Sequence, residues 1–130
     1  MIFSISVLSA PYSSQEALVA YKFAQATLLA GHSIKRIFFH GDGVLNASCL
    51  TTAPQDEINL HQAWVTLAET HHVELIVCIA SALRRGIIDQ SEALRYQKTA
   101  FSLQTPFVLS GLGQLVEAVL ESDRFISFGD

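Results

Sequence analysis

Charge is scarce in this chain: 15% of its 130 residues are Asp, Glu, Lys or Arg, against roughly 25% in ordinary soluble domains. The shortfall points to a surface partly covered by other subunits. Basic charge is scarcer still, with 8 Lys and Arg against 12 Asp and Glu and a net charge of −4. Arg84-Arg85 and Lys35-Arg36 are the only adjacent cations. No basic stripe exists for a phosphate backbone, so no direct nucleic-acid binding is expected. Cysteine is limited to Cys49 and Cys78, too few for a disulfide framework, which favours a reducing compartment. Apolar runs are short, and none nears the roughly 20 residues that span a bilayer. The apolar start, residues 1–7, has no basic residue before Lys22, unlike a signal peptide. The chain therefore reads as cytoplasmic, with no membrane partner. Repeats, linkers and low-complexity tracts are missing as well. One domain over residues 1–130 is expected, and a hydrophobic content of 50% is ample for its core.

What is present is an alternation of strand-like and helix-like segments. Residues 2–8 form a short apolar run, then Ser13 and Glu16 give a capping-box signature. The helix after it carries Ala17, Tyr21, Ala24 and Leu28 on one face and stops at Gly31. Residues 34–39 read as a strand buried on both faces. A long connection, 40–54, precedes a helix opened by Asp56, in which Leu60, Trp64, Leu67 and Ala68 fall on a core-facing stripe. Residues 74–79 are a third strand, 91–96 a short helix and 107–109 a fourth strand. Leu112, Leu115, Val116, Val119 and Leu120 mark a last helix, and 124–128 a closing strand. The alternation predicts an α/β fold of three layers, a mostly parallel sheet flanked by helices in the flavodoxin-like manner.

Cys78 closes the apolar strand Leu75-Ile76-Val77 and precedes the helix-like Ser81-Ala82-Leu83-Arg84-Arg85. A parallel strand delivers its last residue to the sheet edge where α/β proteins do chemistry. The positive end of the next helix there favours the thiolate, the reactive form. Two chemistries fit. The thiolate can accept a sulfur atom by thiol exchange and pass it on, with Arg84 or Arg85 supplying positive charge. Alternatively, Cys78 and Arg84 stand in the C-x5-R spacing of cysteine phosphatases, although residues 79–83 lack the glycine that a tight oxyanion cradle wants. A third reading is inert, since free cysteine is among the most buried residue types.

Other candidates are weaker. Nothing in the sequence brings Cys49 to Cys78. His71-His72, with Glu69 and Glu74 near, lacks metal-site spacing and reads as a solvated helix end, so no metal is expected. Gly111-Leu112-Gly113 is a lone GxG that a tight strand-to-helix turn explains, and no cofactor is expected from it.

Several blocks carry a family likeness. They are Tyr21-Lys22-Phe23-Ala24-Gln25-Ala26, Gly31-His32, Phe38-Phe39 to Gly43-Val44, Asn46-Ala47, Asp56-Glu57 and Trp64. Val77-Cys78-Ile79-Ala80, Ala82-Leu83-Arg84-Arg85-Gly86, Ser110-Gly111-Leu112-Gly113-Gln114-Leu115, Ala118 and Asp123-Arg124 continue them. On these residues the chain resembles the DsrE family, most closely its subunits of TusBCD-type sulfur relays. The resemblance implies a cytoplasmic sulfurtransferase whose Cys78 takes persulfide sulfur from a TusA-like donor and hands it to a TusE-like acceptor. The sulfur would end in 2-thiouridine at the tRNA wobble position. It further implies sister subunits in a TusBCD-like heterohexamer, in keeping with the low charge. Two alternatives stay open: a DsrE subunit of a DsrEFH complex in dissimilatory sulfur oxidation, and a non-catalytic assembly subunit. The family pattern assigns no role to Cys49.

Overall fold

The direction in which a chain crosses its sheet decides which face each connecting helix covers, because parallel crossovers are right-handed. The computed structural model describes residues 1–129. Among these, strands β1 (Ile2–Val7), β2 (Ser33–Phe39), β3 (Glu74–Cys78), β4 (Phe107–Ser110) and β5 (Arg124–Phe128) form one parallel sheet in the order β4-β3-β2-β1-β5. From β1 to β4 every step moves the same way. Helix α1 (Glu16–Leu29), a 3-10 helix (Gly41–Ala47), α2 (Leu60–His71), α3 (Ile79–Arg84) and α4 (Gln90–Arg95) lie along that part of the chain. The step from β4 to β5 runs back across the whole sheet, so α5 (Gly113–Glu121) covers the opposite face. The layers are those the alternation predicts, while the strand order differs from the 2-1-3-4-5 of flavodoxin.

The first face holds the main core. Ile5, Val7, Ile37, Phe39, Leu75, Val77 and Phe107 of the sheet meet Ala17, Ala20 and Ala24 of α1 and Leu60, Trp64, Leu67 and Ala68 of α2. Trp64 is fully buried and packs edge-on against Tyr21 at 5.4 Å and Phe39 at 5.3 Å. Small alanines on α1 let that helix lie close to the sheet.

The second face is thinner. Phe38, Ile76 and Cys78 form a small cluster closed by Leu115 of α5. Arg36, 4% exposed, anchors the same helix. Its Nε donates to Glu74 Oε2 at 2.7 Å, its Nη1 to the Gln114 carbonyl at 2.9 Å and its Nη2 to Glu117 Oε1 at 3.3 Å. Lys35 pairs with Glu121 beyond it. Both cations reach α5 because the β1–β2 register shifts between Phe3 and Ser4, where Phe3 faces Ile34 and Ser4 faces Arg36. The extra residue in β2, Lys35, is a β-bulge, which re-aims side chains that strict alternation would send to opposite faces.

Two helix starts differ from the sequence expectation. The Ser13–Glu16 capping box is not formed: the Glu16 amide donates to Ser14 Oγ at 3.3 Å and α1 begins there. Asp56 does not open α2, which starts at Leu60 behind Asn59, whose Oδ1 accepts the Gln62 amide at 3.1 Å. The helix begins where its apolar stripe begins, and Asp56 lies in the exposed turn before it. The third strand ends at Cys78, and Ile79 is already the first residue of α3.

Candidate active site at the carboxyl end of strand three

Cys78 is the last residue of β3 and the residue on which α3 starts, with φ −62° and ψ 116°. In register it pairs with Ser110 of β4. Its side chain is 6% exposed and packs with Phe38 and Ile76 under Leu115, on the α5 face. The first amides of α3 have no intrahelical acceptors and lie at the same sheet edge.

The surrounding loops are tied down individually. The Gly41 amide donates to Ser81 Oγ at 3.0 Å. Arg85 Nε donates to Asp42 Oδ1 at 2.9 Å, and Arg85 Nη1 to the Ser81 carbonyl at 3.1 Å. These bonds clamp the 3-10 helix to α3. Gly43 lets the clamp lie flat, because a Cβ there would stand 2.0 Å from the Val7 carbonyl oxygen. Asn46 is fully buried, donating to the carbonyls of Ser9 at 3.1 Å and Gly43 at 2.8 Å while accepting the Trp64 indole N–H at 3.2 Å. It joins the loop after β1, the 3-10 helix and α2 through one amide.

Of the two arginines nominated to serve the thiol, Arg85 is engaged with Asp42 and Arg84 is exposed at the far end of α3. Arg84 lines a groove of about 700 Å³ with Leu50, Leu83, Tyr96 and Phe101. A second crevice, about 340 Å³, opens among Leu8, Ser13, Glu16, Asp42 and Gly129, where β1 and β5 end. Cys78 lines neither. The phosphatase spacing dissolves in three dimensions: residues 79–84 are helix, so their backbone does not wrap an oxyanion.

Cys49 is a free, half-buried thiol whose amide donates to the Ser102 carbonyl at 2.7 Å, and Cys78 is free as well. His71 and His72 are exposed at the end of α2, and among the described residues no cluster of His, Cys, Asp and Glu is set to hold a metal. No helix among the described residues is long and apolar enough to cross a membrane.

Sequence reasoning gave no role to one side chain at this edge. His40 follows β2 in extended backbone, φ −145° and ψ 171°, and its amide donates to the Val7 carbonyl at 3.1 Å, continuing the ladder. Its Nε2 lies 2.8 Å from Ser6 Oγ, in hydrogen bond, and its ring packs on Phe38 at 5.5 Å. Burial pushes this imidazole below its ordinary pKa of 6.5. The available signal was its place immediately after an apolar strand.

Comparison with known proteins bears on this geometry. The model of the DsrE/DsrF-like family matches residues 1–128. Sulfurtransferase TusD of Serratia proteamaculans is 48% identical over 126 residues, covering 97% of this chain and 98% of that one. The protein named DsrE of Allochromatium vinosum is 46% identical over 130 residues and the full length of both. Among solved structures, the ychN protein of E. coli superposes with a TM-score of 0.74 at 18% identity, over 98% of this chain and 100% of its own, a likeness of fold.

Proposed function

The chain belongs to the DsrE/DsrF-like family, and we propose that it is a sulfurtransferase subunit that carries persulfide sulfur on Cys78. The observation that carries this reading is the place of the thiol: last residue of a central parallel strand, with a helix starting at the next residue and the surrounding loops clamped by Arg85 and Asn46. A cysteine at that edge is where a nucleophile is most useful. Relatives nearly half identical over almost the whole chain bear the name sulfurtransferase, which supports the same chemistry.

The thiol is 6% exposed in a cluster against which Leu115 of α5 packs, so a donor approaches it beside the first turn of α5. That helix presents Val116, Val119 and Leu120 to solvent, Leu112 is exposed just before it, and β4 leaves Val108 exposed. Exposed apolar residues grouped on one element mark interaction surfaces. They support sister subunits of a TusBCD-like assembly, with a TusA-like protein delivering sulfur and a TusE-like protein receiving it in the cytoplasm. The residues 1–130 act as one domain in this scheme, and the sulfur is destined for wobble 2-thiouridine in tRNA. The 46% identity to the Allochromatium DsrE favours a second destination, dissimilatory sulfur oxidation, through the same step at Cys78.

Intact mass after incubation with a persulfide donor system tests the carrier. Wild type should gain sulfur that a reductant removes, and Cys78→Ser should gain none. Sulfur on the Cys78→Ser protein would sink the reading by moving the carrier to Cys49, and sulfur on neither protein would leave an assembly subunit. Thiolated tRNA measured in a strain deleted for the gene then separates the two destinations.

A further inference from the structure

Sulfur exchange at a thiol requires a proton to leave before attack and another to reach the departing sulfur. Among the described residues, the charged side chains at this edge and on this face are already engaged or turned away. Arg85 is bonded to Asp42 and Ser81, Arg84 stands at the far end of α3, and Arg36 is saturated by Glu74, Gln114 and Glu117. The first turn of α5 and the first five residues of α3 carry no charge at all. Among the described residues, one titratable side chain remains on the Cys78 face at the end of the neighbouring strand.

That side chain is His40. Parallel register sets Phe38 against Ile76. The last pair is Phe39 and Val77; the next residues, His40 in extended backbone just past β2 and Cys78 at the end of β3, continue that register on the Phe38–Ile76 face, across a strand spacing of about 4.8 Å. Both pack on Phe38, the thiol in the Phe38–Ile76 cluster and the imidazole on the Phe38 ring. The Ser6 hydrogen bond lies on the β1 side of the ring. The two nitrogens of an imidazole point in widely divergent directions, so with Nε2 engaged by Ser6 the other nitrogen, Nδ1, is directed away from that hydroxyl. Ser6 is buried at 1% exposure and makes a fixed orienter.

We propose that His40 is the proton acceptor for Cys78, with Ser6 as its positioning residue. This rests on the reading of Cys78 as the sulfur acceptor. His40 Nε2–H donates to Ser6 Oγ, which leaves the Nδ1 lone pair to take the thiol proton. The Cys78 thiolate attacks the outer sulfur of a donor persulfide, R–S–SH. A bond forms between the Cys78 sulfur and that atom, and the donor's S–S bond breaks with its electron pair remaining on R–S⁻. The imidazolium returns the proton to R–S⁻. The products are Cys78–S–SH and R–SH, with the transferred sulfur oxidising Cys78 as the donor is reduced. Nδ1 forms no hydrogen bond with Cys78 in the resting arrangement; contacts of this kind commonly tighten when substrate binds. Burial lowers the pKa of this ring, which favours the neutral form that can accept a proton while making it a weaker base.

The test compares wild type with His40→Gln, which retains a donor toward Ser6 without a base, and with Ser6→Ala. Iodoacetamide capture of the Cys78 peptide and sulfur uptake from glutathione persulfide are each followed from pH 5 to 9, with urea midpoints confirming folding. Uptake by His40→Gln at pH 7 should fall on the order of 10²-fold, the low end of general-base contributions. Its alkylation profile should move to higher pH, and added imidazole should restore part of the rate. Ser6→Ala should show a smaller shift in the same direction. Superimposable alkylation profiles for wild type and a folded His40→Gln would overturn the proposal even if Cys78 carries sulfur. Wild type that gains no sulfur, but whose alkylation profile still depends on His40, would overturn the carrier reading alone.

Discussion

On one face of the sheet Trp64, Phe39 and Phe107 interlock with α1 and α2, while on the other α5 is held by Arg36, Lys35 and a four-residue apolar cluster containing Cys78. The first face is close-packed and loses free energy with every atom removed. The second rests on charged hydrogen bonds whose carboxylates are half in water: the side chains of Glu74 and Glu117 are 54% and 47% exposed. Such carboxylates recover solvation when released, so this layer separates from the sheet at lower cost. The difference teaches where the thiol is placed. It sits beneath the element that can yield, and the rigid face fixes the strand ends from which it projects.

The sharpest test of the contrast is Trp64→Ala. It leaves a large cavity and the Asn46 amide without its indole partner, and should cost about 3–5 kcal/mol, read as a fall in the urea midpoint. A loss under about 1 kcal/mol would mean that the first face is not the rigid one. Arg36→Leu strikes the second face. It should cost about 1–3 kcal/mol through lost charge-assisted hydrogen bonds. It should also speed alkylation of Cys78 and amide exchange in α5; faster exchange in α1 or α2 instead would break the comparison.

A pH titration asks a finer question. In the fold, burial holds His40 below 6.5, whereas the unfolded chain protonates it near that value. The unfolded state therefore binds more protons there. Stability contributed by neutral His40 is complete above pH 6.5 and declines as pH falls toward the folded value. Histidine 40 replaced by phenylalanine (His40→Phe) should flatten this limb in urea titrations at successive pH values. An unchanged slope would mean that the imidazole is solvated. The smallest effect belongs to Leu120→Ser. Leu120 is 79% exposed, so the isolated chain should change by no more than about 0.5 kcal/mol. Sedimentation should instead show weakened association with sister subunits, and full retention of assembly would move the interface off α5.

Much of this was legible in residue order. The strands are apolar runs of the right length, the α2 stripe is buried as its spacing requires, and Cys78 ends its strand. The helix starts were less so. Ser13 and Glu16 had the right spacing for a cap, yet the adjacent Ser14 captured the amide. The apolar stripe of α5 marked a helix, but the residues that anchor it are two cations from a bulge in β2. A bulge depends on how two strands pair and leaves no periodic trace.

By itself, the sequence determined the elements, the α/β class and the thiol as the reactive candidate, because strand and helix periods and the end of an apolar run are local properties. Only the tertiary structure decided the strand order, the packing of α5 over the Cys78 face, the diversion of Arg84 and Arg85, and the bond that ties His40 to Ser6 of the neighbouring strand. Those features follow from long-range pairing and crossover direction, which join residues that no local pattern relates.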